Sequence, residues 1–128
     1  MIGIALAALA TVSQWEGNYT AASSWDTGDV EIHRMRGGSL RINLSVAAKD
    51  GCVGELEFVA NPKTAGNADL SQLYLTPRDR ADDLAEAGDQ CSLTLFREDN
   101  RIIVAEHNCS QEHGAACAFE GRYHRTTK

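Results

Sequence analysis

Alternation of apolar and polar residues constrains the fold of this 128-residue chain more than any other feature. The clearest run covers residues 39–47, where every second side chain is a large aliphatic one: Leu40, Ile42, Leu44 and Val46. Alternate side chains of a strand share one face. The run therefore predicts a strand with one buried face and one wet face.

Runs of this kind recur and predict about eight strands, nearly all joined by links of hairpin length. Gly37-Gly38 and Lys49-Asp50-Gly51 are typical turn signals. One short helix is expected over residues 78–87, because Thr76-Pro77 fits an N-cap followed by proline at the first helical position. The predicted fold class is all-β, an antiparallel up-and-down barrel of about eight strands with one short helix. A two-sheet sandwich is the alternative.

A short echo between the two ends of the chain favours the barrel over the sandwich. Residues 15–19 read Trp-Glu-Gly-Asn-Tyr, and residues 119–123 read Phe-Glu-Gly-Arg-Tyr. In extended chains both rings of each segment share a face, and the glycine between them leaves room for a crossing side chain or a bend. Two matching strands at opposite ends predict that the first and last strands meet.

The first ten residues are apolar and uncharged, and they are too few to span a bilayer. They match the apolar core and small-residue end of a secretory signal, although the basic region that usually precedes them is missing. We expect residues 1–13 to be a signal-peptide remnant or an N-terminal tail; a buried strand or helix of the domain is the alternative. Residues 14–128 are expected to form a single β-barrel domain, and no other stretch predicts a membrane span.

The four cysteines, Cys52, Cys91, Cys109 and Cys117, form an even set that predicts disulfides. Zinc sites usually contain closely spaced cysteine pairs, and none is present. Cys109 and Cys117 enclose a small loop containing a glycine, whereas Cys52 and Cys91 both belong to the core faces of their strands. We therefore expect the pairs 52–91 and 109–117, although sequence does not fix connectivity.

Charge and motifs exclude several classes of function. A net charge of −6 disfavours nucleic-acid binding. The sequence contains no nucleophile elbow and no glycine-rich phosphate loop, and its cysteines are better used as bridges. His107 and His113 lie near each other and near Glu106 and Glu112, but ordinary solvated side chains are favoured there over a metal site. Glu55 and Glu57 share a wet strand face, which favours solubility over acid–base chemistry. We expect no enzymatic activity, cofactor or metal.

The paired aromatic residues and cysteines also suggest a family. The start Trp15-x-Gly17-x-Tyr19 and the ending Cys109-x7-Cys117-Ala118-Phe119-x-Gly121-x-Tyr123 resemble small bacterial periplasmic all-β proteins of the lysozyme-inhibitor type, the LprI and MliC groups. The resemblance implies a compact, calycin-like barrel with a disulfide that blocks a lysozyme cleft with a loop bearing Ser and Lys or Arg. The inhibitory Ser-Gly-x-x-Tyr motif is not found in this sequence.

Two functional hypotheses from different classes follow. The first is a periplasmic or secreted binding protein whose partner is a protein, such as a basic cell-wall hydrolase that charge would steer to it. The second is a lipocalin-like carrier of a small apolar ligand, which a filled barrel interior would dismiss. Trp25 is expected to plug the barrel, and an exposed contact is the alternative. Rigid barrels display binding residues on loops, and the candidates are Ser23, Ser24, Trp25, Asp26, Asn61, Lys63, Asn67, Gln111, Glu112 and His113.

Overall fold

The computed structural model describes residues 15–61, 72–81, 90–109, 113 and 117–126. These residues contain eight strands and one short 3-10 turn. The strands are β1 (Gly17–Ala22), β2 (Asp26–Arg34), β3 (Leu40–Ala48), β4 (Val53–Ala60), β5 (Gln72–Leu75), β6 (Ser92–Glu98), β7 (Arg101–His107) and β8 (Gly121–Arg125). The 3-10 turn is Pro77–Asp79.

All eight strands belong to one antiparallel sheet in the order β4-β3-β2-β1-β8-β7-β6-β5. Two four-stranded meanders are therefore joined where β1 pairs with β8, and Thr20 lies opposite His124. At the other junction, a bridge between Phe58 and Arg80 links β4 to the chain that follows β5. The result is a nearly closed barrel, which confirms the predicted fold class and the meeting of first and last strands and overturns the sandwich.

The barrel interior is filled by the apolar side chains of alternate strand positions. On β3, for example, Leu40, Ile42 and Leu44 are buried while the residues between them face outward. The largest fully buried side chains are the aromatic ones, Trp15, Tyr19, Tyr123, Phe58 and Phe119. Because buried and exposed positions alternate along each strand, the sequence pattern predicts the strands.

The two echo segments form equivalent corners, which we call the N-terminal corner (residues 15–19) and the C-terminal corner (residues 119–123). In each corner, the tyrosine hydroxyl donates a hydrogen bond to the carbonyl oxygen four residues earlier. The distances are 3.0 Å from Tyr19 to Trp15 and 2.7 Å from Tyr123 to Phe119. This resembles the tyrosine corner of β-sandwiches, in which a hydroxyl fixes the backbone just upstream.

The glutamates of the two corners also act alike. Gly17 pairs with Ile32 of β2, and Gly121 pairs with Val104 of β7. Two residues beyond those partners, the amide of Arg34 donates to Glu16 at 3.1 Å, and the amide of Glu106 donates to Glu120 at 3.3 Å. The two meanders are thus related by an approximate two-fold axis between β1 and β8.

The disulfides are Cys52–Cys117 and Cys91–Cys109. All four cysteines are bridged, as predicted, but the predicted pairs 52–91 and 109–117 are wrong. The turn between β6 and β7 sets Ser92 opposite His107. Cys91 lies one residue before Ser92 and Cys109 two residues after His107, and their Cα atoms are 4.5 Å apart. Cys52 and Cys117 each precede a strand, β4 and β8, that starts at the same end of the barrel.

Three further expectations meet the structure differently. The helix predicted over 78–87 does not continue past Asp79, because Arg80 is extended (φ −61°, ψ 131°) and bridges to β4; residues 82–89 lie outside the described residues. Trp25 does not plug the barrel, since 46% of it is exposed. Residues 1–13, expected to be a signal remnant or tail, lie outside the described residues.

Candidate functional site

The outer face of β2, β3 and β4 carries a concentration of carboxylates, which we call the acidic face. Outward positions of β2 and β4 supply its four acidic side chains, Asp29, Glu31, Glu55 and Glu57. The register aligns them in two rows across β3: Asp29 with Ser45 and Glu55, and Glu31 with Asn43 and Glu57. Neutral polar side chains therefore separate the carboxylates and leave room between them.

Some contacts of the acidic face are local and polar. Thr20 donates to Asp29 at 3.0 Å, and Arg41 donates to Glu57 at 2.6 Å. Such exposed pairs contribute little stability, because solvent screens them. Shallow depressions of about 650 Å³ and about 470 Å³ lie along these rows. The face offers carboxylate oxygens to a basic, protruding partner surface, which the charge would attract.

The outer face of the other meander, strands β5 to β8, differs in composition. Tyr74 and Phe96 are 43% and 38% exposed there. Arg122 pairs across the ladder with Ile103, which lies opposite Phe96. The carboxylate of Glu98 is paired with Arg101 at 3.1 Å. Among the outward strand positions described, the acidic charge is therefore concentrated on one side of the barrel.

The predicted binding loop at residues 23–26 is a self-contained turn between β1 and β2. The Ser23 hydroxyl donates to the Asp26 carboxylate at 2.7 Å and accepts the amides of Trp25 and Asp26 at 3.0 Å. The turn is exposed, Ser24 included, and displays the Trp25 ring. It remains a candidate contact because an exposed tryptophan is typical of binding surfaces.

The other predicted binding residues do not form one site within the described part of the chain. Asn61 is exposed at the end of β4. Four of them lie outside the described residues: Lys63, Asn67, Gln111 and Glu112. His113 was chosen as an exposed loop residue, but the structure buries it, so that basis for its selection is wrong.

His113 and Glu106 form a buried pair rather than two solvated side chains. His113 Nε2 lies 2.8 Å from Glu106 Oε2. Glu106 Oε1 accepts the amides of Phe119 and Glu120 at 2.7 and 3.2 Å. The His113 ring meets Phe119 edge to face, with 5.2 Å between the centroids. The pair therefore fixes the entry of the C-terminal corner, and no cluster of possible metal ligands occurs among the described residues.

Sequence reasoning missed the acidic face, although its components were visible. Glu55 and Glu57 were identified on one wet face, and Asp29 and Glu31 show the same spacing on β2. The turn at Gly37-Gly38 predicts that β2 pairs with β3. The position of β3 between β2 and β4, however, depends on the order of the whole sheet. The burial of His113 had a signal too, because Glu106 continues the inward positions of Ile102 and Val104.

None of the described helical residues forms a segment long and apolar enough to cross a membrane. Comparisons with protein-family models, with curated proteins and with solved structures yielded no match to this chain.

Proposed function

We propose that this protein is a non-enzymatic binding protein of an oxidising compartment, the periplasm or the cell exterior, and that it docks a basic protein through the acidic face. The observation that carries the proposal is the alignment of Asp29, Glu31, Glu55 and Glu57 across three adjacent strands. Carboxylates arranged on a rigid sheet attract a basic partner over long range and fix its orientation.

The disulfides and the core support this assignment. Two disulfides fit a protein that matures outside the reducing cytoplasm. A carrier of lipocalin type needs an internal cavity, but the inward positions of the described strands hold large buried side chains, including Phe58 and Tyr123, and Trp15 is fully buried as well. The barrel is of the size that side chains can fill. The outer surface is therefore the better candidate for binding.

A basic cell-wall hydrolase of the lysozyme class is the partner that we test first. The acidic net charge favours it, and so does the resemblance to lysozyme-inhibitor-type proteins. The inhibitory motif of that family is missing, so this protein would use the acidic face rather than a loop inserted into the cleft. The loop at residues 23–26 leads directly into β2, one of the strands of the acidic face, and Trp25 is exposed in it.

The binding proposal is tested with charge-matched variants. Calorimetric titration of a panel of lysozymes into the wild-type protein is compared with titration into E31Q/E55Q, which removes two charges from the acidic face. The control, E98Q/D99N, removes two charges from the turn between β6 and β7. We expect affinity to fall at least tenfold in the first variant and to change little in the control. Equal losses in both variants would show a net-charge effect and overturn the assigned surface.

The inhibitor version has a separate test. Lysis of a bacterial cell suspension by each lysozyme is followed by turbidity with and without micromolar protein. A slower lysis that E31Q/E55Q relieves supports inhibition through the acidic face. Unchanged lysis rates with every lysozyme would reject the inhibitor version.

A further inference from the structure

Arg97 occupies a position that the fold reserves for the core. It follows Leu93 and Leu95 on the inward face of β6 and pairs with the buried Ile102 of β7. The approximate two-fold axis relates Leu95 of β6 to Ile42 of β3. Each is the third in a row of paired residues that begins at a corner glycine: Gly17, Ile32 and Ile42 in one meander, and Gly121, Val104 and Leu95 in the other. Two residues further along β3 is Leu44, which is buried. An arginine thus stands where the related half has a core leucine.

The guanidinium of Arg97 has no protein partner among the described residues. Its Nε atom is shielded from solvent and makes no hydrogen bond. Its two terminal nitrogens are not among the buried atoms that lack a hydrogen-bond partner, so they are accessible to solvent. The shielded Nε–H therefore lacks a hydrogen bond, and leaving a buried donor without an acceptor costs free energy. An anion that approaches the open terminal nitrogens could accept from them and from Nε–H.

A second guanidinium faces the same tyrosine. Arg125 of β8 donates to the Tyr19 hydroxyl at 2.7 Å and to the carbonyl oxygen of Glu16 at 2.6 Å. Its guanidinium carbon lies 4.9 Å from the centre of the Tyr19 ring. Burial raises the pKa of Tyr19, while the positive charges of Arg125 and then Arg97 oppose that rise. The register also places the two arginines near each other: Arg97 lies opposite Ile102 of β7, and Ile102 lies opposite Tyr123 of β8. Arg125 is two residues further along the same face of β8.

We propose that Arg97 and Arg125 form an anion-binding site at the mouth of the barrel, beside Tyr19, for a ligand that presents an oxyanion such as a phosphate or a carboxylate. Planar guanidinium groups bind such oxygens with paired, charge-assisted hydrogen bonds. Arg97 supplies the unsatisfied donor, and the Arg125–Tyr19 contact supplies an ordered second wall. This site is separate from the acidic face and does not depend on the proposed function.

The test uses inorganic phosphate and acetate as probes at constant ionic strength. Thermal unfolding and calorimetric titration are measured for the wild-type protein, for R97Q and for R122Q, which removes an exposed arginine from the outer face of β8. We expect R97Q to fold without loss of stability, because Arg97 has no protein partner to lose. Phosphate or acetate should stabilise the wild type and R122Q, and R97Q should bind the same anion at least tenfold more weakly.

The two probes distinguish the sources of the anionic group. A response to phosphate alone assigns a phosphorylated ligand, and a response to acetate as well assigns carboxylates. A second readout is the Nε–H resonance of Arg97, which we expect to shift on anion binding. An equal response of all three proteins to each probe, with no movement of this resonance, would overturn the site.

Discussion

The N-terminal and C-terminal corners share a backbone design but differ in what surrounds it. In both, a tyrosine hydroxyl holds the carbonyl oxygen four residues earlier, and a glutamate accepts an amide of the neighbouring strand. The N-terminal corner is covered by the Arg125 guanidinium. The C-terminal corner is anchored by the Cys52–Cys117 disulfide and by the Glu106–His113 pair.

The electrostatic surroundings of the two tyrosines are opposite in sign. Burial raises the pKa of Tyr123, and the negative charges of Asp26, Glu106 and Asp29 raise it further. Burial raises the pKa of Tyr19 too, but Arg125 and Arg97 counteract it. The comparison teaches that the hydroxyl-to-carbonyl bond is the structural requirement of a corner. The charges around that bond can differ, because they are positive near Tyr19 and negative near Tyr123.

Removing the disulfide of the C-terminal corner should have the largest effect. C52A/C117A opens a link between residues 65 apart, and C91A/C109A opens one between residues 18 apart. From the entropy of the cross-linked unfolded chain, we expect losses of about 4 and about 3 kcal/mol respectively. Urea unfolding monitored by circular dichroism measures both. A smaller loss for C52A/C117A than for C91A/C109A would contradict the anchoring of the C-terminal corner.

The two corner glycines should respond differently to the same substitution. Gly17 has φ +145°, and a Cβ there would lie 2.6 Å from Arg125 Nη1, so we expect G17A to cost about 1–3 kcal/mol. At Gly121 the nearest atom is an ordinary 3.7 Å away, and G121A should be neutral or stabilising by up to about 1 kcal/mol. The same urea series measures both. Equal losses would show that the corners do not differ in backbone strain.

High pH should destabilise the protein mainly through the C-terminal corner. A tyrosine whose pKa is raised on folding stabilises the protein fully below its unfolded value of 10.0. That stability is lost as the pH rises from there through the folded value, by up to about 1.4 kcal/mol per pH unit for each tyrosine. Y123F should therefore flatten the fall in stability above this pH more than Y19F does. A steeper dependence on Tyr19 would reverse the electrostatic comparison.

The smallest effect is expected from the corner glutamates. E16Q and E120Q each keep a hydrogen-bond acceptor but remove a charge from an exposed contact with a backbone amide. We expect each to cost about 0.5 kcal/mol. Amide exchange of Arg34 and Glu106 measures the local change. Unchanged exchange at both amides would show that the glutamate contacts do not stabilise the corners.

Local patterns carried most of the fold. Alternation along β3 and the turn at Gly37-Gly38 are properties of neighbouring residues, so they predict strands and hairpins directly. The echo added one long-range fact, the pairing of β1 with β8. The disulfide pairs were missed because they depend on register: Cys91 meets Cys109 through the β6–β7 ladder, and Cys117 reaches Cys52 across the end of the barrel.

The candidate sites were harder to predict, because they are assembled from separate strands. The acidic face needs β2 and β4 on either side of β3. Trp25 was expected to plug the barrel, but Ser23 and Asp26 close the turn around it and 46% of Trp25 is exposed. Arg97 had a visible signal in its inward position after Leu93 and Leu95. That signal was overlooked because a charged residue is usually expected on the outer face of a strand.

Both sulfur bridges fasten the barrel at one rim, where β4, β6 and β8 begin. The opposite rim, with the turns after β2 and β6, is held among the described residues by packing, hydrogen bonds and the Glu98–Arg101 ion pair, without a covalent link. Thermal unfolding should therefore begin at that rim and proceed toward the rim that carries the disulfides. Amide exchange along β2 and β6 would then form a gradient that a reducing agent abolishes.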